Sequence, residues 1–112
     1  MKVEMDENET KMYLRRCRRL FVTTFGRRGG HPDNMSFRMP EFRPYRWLHK
    51  EVFCAVTGAK IPRGQPAVGV YTDPFWLDRE LASRCLAVFR DVDTFRRWLA
   101  YDEERGVVVR TR

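Results

Sequence analysis

Cysteine and histidine are the side chains of this sequence best suited to covalent or metal chemistry. The chain has five of them: Cys17, His31, His49, Cys54 and Cys85. Cys54 stands where a C-x-x-C pair of metal ligands would begin, but position 57 is Thr57 and no second pair follows. A structural zinc ion requires four N, S or O donors in a tetrahedral array. We therefore expect no metal and no other cofactor, with a non-standard site built from these five residues as the alternative.

The sequence also lacks the pattern of a catalytic site. A thiol hydrolase needs a cysteine, a base and an orienting group in one pocket, and Cys17 and Cys85 fall on predicted core faces. The glycine-rich stretch GRRGG lacks the Lys-Ser/Thr pair that completes a phosphate-binding loop. We therefore expect a protein that is not an enzyme and has no small-molecule substrate.

Positive charge is concentrated in the first half of the chain. The net charge is +7, and residues 11–50 hold eleven basic side chains against two acidic ones. Eighteen of the 22 basic residues are arginine, which pairs with phosphate or carboxylate through two parallel hydrogen bonds. The alternatives are a solvated surface and an anionic partner, and we favour the partner. The candidate binding residues are Arg15, Arg16, Arg18, Arg19, Arg27, Arg28, Arg38, Arg43 and Arg46.

The first four of these arginines belong to a predicted amphipathic helix over residues 9–23. At 100° per residue, its apolar side chains fall within an arc of about 120°. The arc holds Tyr13, Leu14, Cys17, Leu20 and Phe21, and Arg15, Arg16, Arg18 and Arg19 lie opposite it. Neighbouring like charges destabilise a helix, so local stability does not explain the arginines and a partner would.

The remaining candidates lie in the basic segment 26–50, where aromatic and basic residues interleave. Pro40 and Pro44 allow only short or edge strands there. Interleaving of this kind is typical of a half-buried strand, but it can also stack bases and neutralise phosphates.

The second half of the chain predicts hairpin and helix elements. The runs VFCAVTG (52–58) and PAVGVYT (66–72) indicate a β-hairpin. Asp73 and Pro74 predict the start of a helix that continues to about Phe89. A further helix is predicted from Asp91 or Asp93, and GVVVRT (106–111) is a candidate last strand. The prediction is a small α+β protein with a single domain over 1–112, in which residues 1–9 form an acidic leader expected to be flexible.

The hairpin and the helix after it resemble a treble-clef zinc finger of the TRASH and YHS group. The matching framework is Cys54-Ala55-Val56-Thr57-Gly58, then Ile61, Gly64 and Pro66, then residues 75–82. Three of the four ligand positions hold Thr57, Leu77 and Leu81. The resemblance implies a degenerate finger that serves as scaffold, with two leucines one helical turn apart in place of two ligands. It also implies positive φ angles at the turn glycines Gly58 and Gly64.

These observations predict a small, basic, non-catalytic binding protein. Its partner would be nucleic acid, DNA or RNA, contacted along the backbone. The alternative is an acidic protein surface, bound by an inhibitor or accessory factor of the kind that phages and mobile elements encode. Three widely spaced cysteines suit a reducing compartment, and no run approaches the roughly 20 apolar residues of a membrane span. We therefore expect a cytoplasmic protein that does not contact the membrane.

Overall fold

The structure is a computed structural model and describes residues 1–26, 34–45 and 51–100. Within these ranges it confirms the predicted α+β class. The elements in chain order are α1 (Glu7–Phe25), β1 (Glu41–Pro44), β2 (Val52–Phe53), β3 (Lys60–Ile61), β4 (Pro66–Tyr71), β5 (Phe75–Leu77), β6 (Glu80–Ala82), β7 (Cys85–Phe89) and α2 (Val92–Leu99).

A three-stranded antiparallel sheet in the order β1-β4-β7 organises the domain. Its central strand aligns Val68 with Phe42 of β1 and with Phe89 of β7. Because side chains alternate along a strand, these three residues share one face, which both helices cover and which we call the helix face. The opposite face, here the far face, carries Arg43 and Gly69. The segment predicted to allow only edge strands does supply the edge strand β1.

The main core fills the space between the helix face and the two helices. Tyr13, Cys17 and Phe21 of α1 are fully buried there, as is Phe95 of α2. The ring of Phe21 lies 5.5 Å from that of Phe75. Burial of each large apolar side chain contributes about 1.5 to 3 kcal/mol.

Helix α1 confirms the predicted amphipathic helix and extends two residues beyond it at each end. Asp6 caps it, because its carboxylate accepts a 2.7 Å hydrogen bond from the Glu9 N–H and the Glu9 carboxylate accepts one from the Asp6 N–H. The residues before the cap, expected as a flexible leader, pair with β1: the N–H of Phe42 donates to the Met1 carbonyl at 2.7 Å. The described part of the chain contains no helix long and apolar enough to cross a membrane.

The helix predicted from Asp73 to about Phe89 is wrong, because these residues form β5, β6 and β7. The N–H of Asp73 donates to the Ser36 carbonyl at 2.9 Å, which ties this residue to the segment before β1. In β5 the side chains of Phe75 and Leu77 are buried and that of Trp76 is exposed, a period of two that belongs to a strand.

The predicted hairpin between residues 52–58 and 66–72 is also wrong in its pairing. Both runs contain a strand, but β2 pairs with β3, while β4 pairs with β1 and β7. The second predicted helix is confirmed as α2, with Asp91 as its cap. The candidate last strand over 106–111 lies outside the described residues.

Candidate nucleic-acid interface

The solvent-facing side of α1 carries a cluster of cations that we call the outer face, made of Lys11, Arg15, Arg18 and Arg19. All four side chains are exposed. The sequence has no acidic residue between positions 10 and 26, so α1 itself carries no acidic side chain after its first turn. At the start of the helix, Lys11 pairs with Glu7 at 3.5 Å. This pair is highly exposed and contributes little to stability. Within the described ranges, the side chains of Arg15 and Arg18 make no hydrogen bond or ion pair.

Arg16 was predicted to lie on the charged side of the helix, and this is wrong. Its side chain is only 8% exposed, and its Nε donates to the Leu99 carbonyl at 3.1 Å. Its guanidinium lies 5.9 Å from the ring centre of Trp98. Because Arg16 borders the apolar arc of α1, the packing of α2 against that border encloses it. Arg16 therefore joins the two helices and is not available to an external partner.

Two further predicted residues, Arg38 and Arg43, lie on the far face of the sheet, opposite the helices. Arg38 follows Phe37, which pairs with Thr72 and packs into the core, so the next side chain is directed the other way. The backbone of Arg38 is fixed on both sides: its N–H donates to the Tyr71 carbonyl at 2.9 Å, and its carbonyl accepts the Tyr13 hydroxyl at 2.6 Å. The other predicted residues, Arg27, Arg28 and Arg46, lie outside the described residues.

Arg43 is held by a stack of aromatic rings. Its guanidinium lies 4.1 Å from the ring centre of Tyr45, and that ring stacks on Tyr71 with centres 5.5 Å apart and planes at 21°. The Tyr45 hydroxyl donates to the Glu41 carbonyl at 2.8 Å and accepts the Gly69 N–H at 3.3 Å. Burial raises the pKa of Tyr45, so this hydroxyl stays protonated and the stack stays neutral apart from the guanidinium.

Glycine at position 69 makes the stack possible. A Cβ atom there would lie 2.6 Å from the ring of Tyr71 and 2.8 Å from the ring of Tyr45. Both distances are below van der Waals contact, so the rings rest directly on the backbone of β4. Interleaving of Arg43 in β1 with Tyr45 just after it was visible in the sequence, but no local signal indicated that Tyr71, on another strand, completes the stack.

The stack forms one wall of a cleft of about 420 Å³ on the far face. Arg38, Arg43, Tyr71 and Ser83 line it together with Glu41. The Glu41 carboxylate lies 3.5 Å from Nε of Arg43, and both side chains are more than 40% exposed, so the pair is weak. The lining of the cleft thus combines two arginines, one glutamate, two tyrosines and a serine.

Backbone hydrogen bonds close the turn that begins at Cys54. The Gly58 N–H donates to the Cys54 carbonyl at 2.9 Å, and Gly58 and Gly64 have φ angles of 73° and 85°, as predicted. Burial would raise the pKa of the Cys54 thiol, but hydrogen bonds from the Thr57 side chain and from nearby backbone N–H groups lower it below its ordinary value.

The second half of the expected finger is arranged differently. Leu77 is buried, whereas Leu81 is 59% exposed and lies opposite Trp76 in the β5–β6 hairpin, so the two leucines do not share a helical face. Among the residues that the structure describes, no group of three or more Cys, His, Asp and Glu side chains could hold a metal ion. Both histidines lie outside them. The resemblance to a degenerate finger stays a prediction.

Three comparisons with known proteins were made for this chain. A scan against protein-family models, a search of curated proteins and a search of solved structures each gave no match. Any assignment of function must therefore rest on the chemistry of the outer face and of the cleft.

Proposed function

We propose that this protein is a small, non-catalytic binding protein that contacts the backbone of nucleic acid through the outer face of α1. One observation supports this most: α1 presents Lys11, Arg15, Arg18 and Arg19 to solvent with no acidic residue after its first turn. Clustered like charges lower the stability of a helix. Phosphates that neutralise these charges would remove the repulsion. All three cysteines are free thiols, which suits the expected cytoplasmic compartment.

Binding through the outer face would be governed by charge and would read little sequence. Arginines on a convex helix surface can reach successive phosphates, and phosphate contacts position a protein without specifying bases. The affinity should therefore fall steeply as salt is added.

The experiment is a fluorescence anisotropy titration of a labelled blunt duplex at about 50 mM and about 200 mM salt. Arg15→Glu combined with Arg18→Glu should abolish binding, because both guanidiniums are exposed and without a described partner. Arg63→Glu combined with Arg79→Glu is the matched control: it makes the same change in net charge at two exposed turn arginines that are not part of α1. Equal loss of binding in both double variants, or no binding by the unaltered protein, would refute the proposal.

A second candidate is docking on an acidic protein surface. The basic residues would meet the acidic surface, and the exposed pair of Trp76 and Leu81 favours a protein interface, because they are 68% and 59% exposed and lie directly opposite each other across the β5–β6 hairpin. Exposed tryptophan is enriched among residues that dominate protein interfaces. Trp76→Ala should then abolish capture of a defined partner from nuclease-treated lysate while leaving duplex binding unchanged. Capture that persists in Trp76→Ala would argue against this surface.

A further inference from the structure

The cleft on the far face is lined by a polar group that the described part of the fold does not satisfy. Ser83 lines the cleft, and its hydroxyl oxygen is enclosed and has no hydrogen-bond partner among the described residues. Buried polar groups in folded proteins nearly always have a partner, and one that lacks it destabilises the folded state. Rotation of the Ser83 side chain about its Cα–Cβ bond would turn this oxygen toward the cleft, and a polar ligand group that bonds to it there would remove the destabilisation.

The cleft offers two arginine side chains to an oxyanion, and the guanidinium group of Arg43 is held in place. Arg43 is positioned by its contact with Tyr45, whose hydroxyl is itself fixed by two hydrogen bonds. Arg38 is anchored through its backbone on both sides, and its side chain bonds to no other described residue. Guanidinium groups match the geometry of phosphate oxygens, and preorganised donors lose less entropy on binding.

Glu41 does not cancel this preference for anions. The lining holds two arginines and one glutamate, whose carboxylate contacts Arg43, so it keeps a net positive charge. Its pairing with Arg43 is weak enough for a phosphate to replace. The released carboxylate could then accept a hydrogen bond from an amine or hydroxyl of the same ligand.

The size of the cleft determines whether its ligand is a nucleic-acid duplex or a single nucleotide. A volume of about 420 Å³ lies in the range of about 300 to 1,000 Å³ that is typical of pockets for small ligands. A duplex presents its phosphates on a wide convex surface that cannot enter such a space. An unpaired nucleotide can enter, and the half-buried ring of Tyr71 lies beside it.

We propose that the cleft binds one unpaired nucleotide of a nucleic-acid strand, with its phosphate on Arg38 and Arg43 and a polar atom on the Ser83 hydroxyl. This inference rests on the proposed function, because it assigns the same partner class a second site on the opposite side of the sheet. The outer face of α1 would hold paired backbone, while the cleft would hold a strand end or an unpaired base.

The experiment uses AMP, adenosine and inorganic phosphate as probes in calorimetric titrations of the full chain. AMP should bind more tightly than either of its parts. Arg38→Ala should weaken AMP binding about tenfold, as expected for loss of a hydrogen bond to a charged group, and Ser83→Ala should weaken it about fivefold, as expected for loss of a neutral hydrogen bond. Arg63→Ala, the matched loss of an exposed arginine outside the cleft, should leave AMP binding unchanged. Ser83→Ala should keep or raise the melting temperature, because it removes an unsatisfied buried hydroxyl.

A second series compares the blunt duplex with the same duplex carrying a single-stranded DNA or RNA extension. The extension should strengthen binding to the unaltered protein but not to Ser83→Ala, and the two kinds of extension distinguish the sources of the nucleotide. The inference is overturned if inorganic phosphate binds as tightly as AMP, or if the cleft variants bind AMP and the extension normally. In either case, duplex binding that depends on Arg15 and Arg18 would leave the proposed function standing. Cleft-dependent AMP binding without any duplex binding would refute the proposed function alone.

Discussion

The outer face of α1 and the cleft lie on opposite sides of the three-stranded sheet and present the same side chain in different ways. On the outer face, Arg15 and Arg18 extend into solvent from a convex surface without described partners. In the cleft, Arg43 is fixed against Tyr45 in a concave surface. Under the proposed function both regions bind anions, and the surroundings of each arginine would determine the shape of anion that it accepts.

The largest expected difference between the two regions is in how strongly their binding affinities depend on salt. Each phosphate contact contributes about 0.9 to the slope of log affinity against log salt. With three or four such contacts on the outer face, affinity for the blunt duplex should fall about a hundredfold between about 50 and 200 mM salt. A free mononucleotide has no condensed counterion layer to release, so the affinity of the cleft for AMP should fall much less over the same range of salt. Equal slopes in anisotropy and calorimetry would show that the two regions do not bind anions differently.

Arg16 provides the next largest effect, this time on stability. Arg16→Ala removes a charged hydrogen bond to the Leu99 carbonyl and the packing on Trp98, so the free energy of unfolding should fall by about 2 kcal/mol. Arg15→Ala, its exposed neighbour, should change that free energy by less than about 0.5 kcal/mol. Urea unfolding followed by circular dichroism measures both. Similar values for the two variants would mean that Arg16 does not join the helices as described.

Gly69→Ala should disturb the cleft without reaching the outer face. The added Cβ would meet the rings of Tyr71 and Tyr45 at 2.6 and 2.8 Å, and Tyr45 is buried and hydrogen-bonded, so it cannot easily move away. We expect a loss of about 1 to 2 kcal/mol in stability, weaker AMP binding and unchanged duplex binding.

Gly64→Ala is the matched control for this prediction. It strains a backbone with a φ of 85°, but no atom lies within 4 Å of the added Cβ. It should therefore lower stability by about 1 kcal/mol and leave AMP binding unchanged. If Gly64→Ala weakened AMP binding as much as Gly69→Ala does, the effect would come from stability and not from the tyrosine stack.

The helices could be predicted because their local signals agree. In α1 the apolar side chains recur about every 3.6 residues, and the capping pair of Asp6 and Glu9 stands at the start of the helix. Asp91 marks the start of α2. The prediction of a helix over residues 73–89 was wrong because the spacing of Leu77, Leu81 and Cys85 also fits a helix. Strand β7 forms instead because it pairs with β4, and pairing between remote segments leaves no local pattern in the sequence. The β5–β6 turn at Asp78 and Arg79 has positive φ angles without glycine, so the usual hairpin signal was absent.

The candidate site divides in the same way. Exposure of Arg15 and Arg18 follows from their position on the helix wheel and could be predicted. Burial of Arg16 could not, because it depends on where α2 packs. Arg43 was a candidate from sequence, but its stack includes Tyr71 from a strand that is remote in the chain, and Ser83 has no distinguishing local pattern. Contacts between remote segments decide which predicted residues act together.

The smallest effect concerns the cap of α2, which supports the helical side of the sheet and not the cleft. The Asp91 carboxylate accepts the Thr94 N–H at 2.7 Å, and hydrogen bonds from Thr94 hold the pKa of Asp91 below its ordinary value of 3.8. Asp91→Ala should lower the free energy of unfolding by about 1 kcal/mol at neutral pH. Because the folded-state pKa is lowered, the stabilisation from ionised Asp91 is present above the ordinary pKa and lost as pH falls through the folded-state value.

Asp91→Asn should retain most of the cap but lose this pH dependence, because an amide does not titrate in this range. Urea unfolding of the unaltered protein and of both Asp91 variants at neutral and acidic pH measures this difference, and AMP titrations at neutral pH measure the effect on the cleft. Asp91→Ala should leave AMP affinity unchanged, since α2 packs on the helix face and the cleft is on the far face. A parallel loss of stability and AMP affinity would mean that the helical layer and the cleft are coupled through the sheet, and the two regions would then act as one.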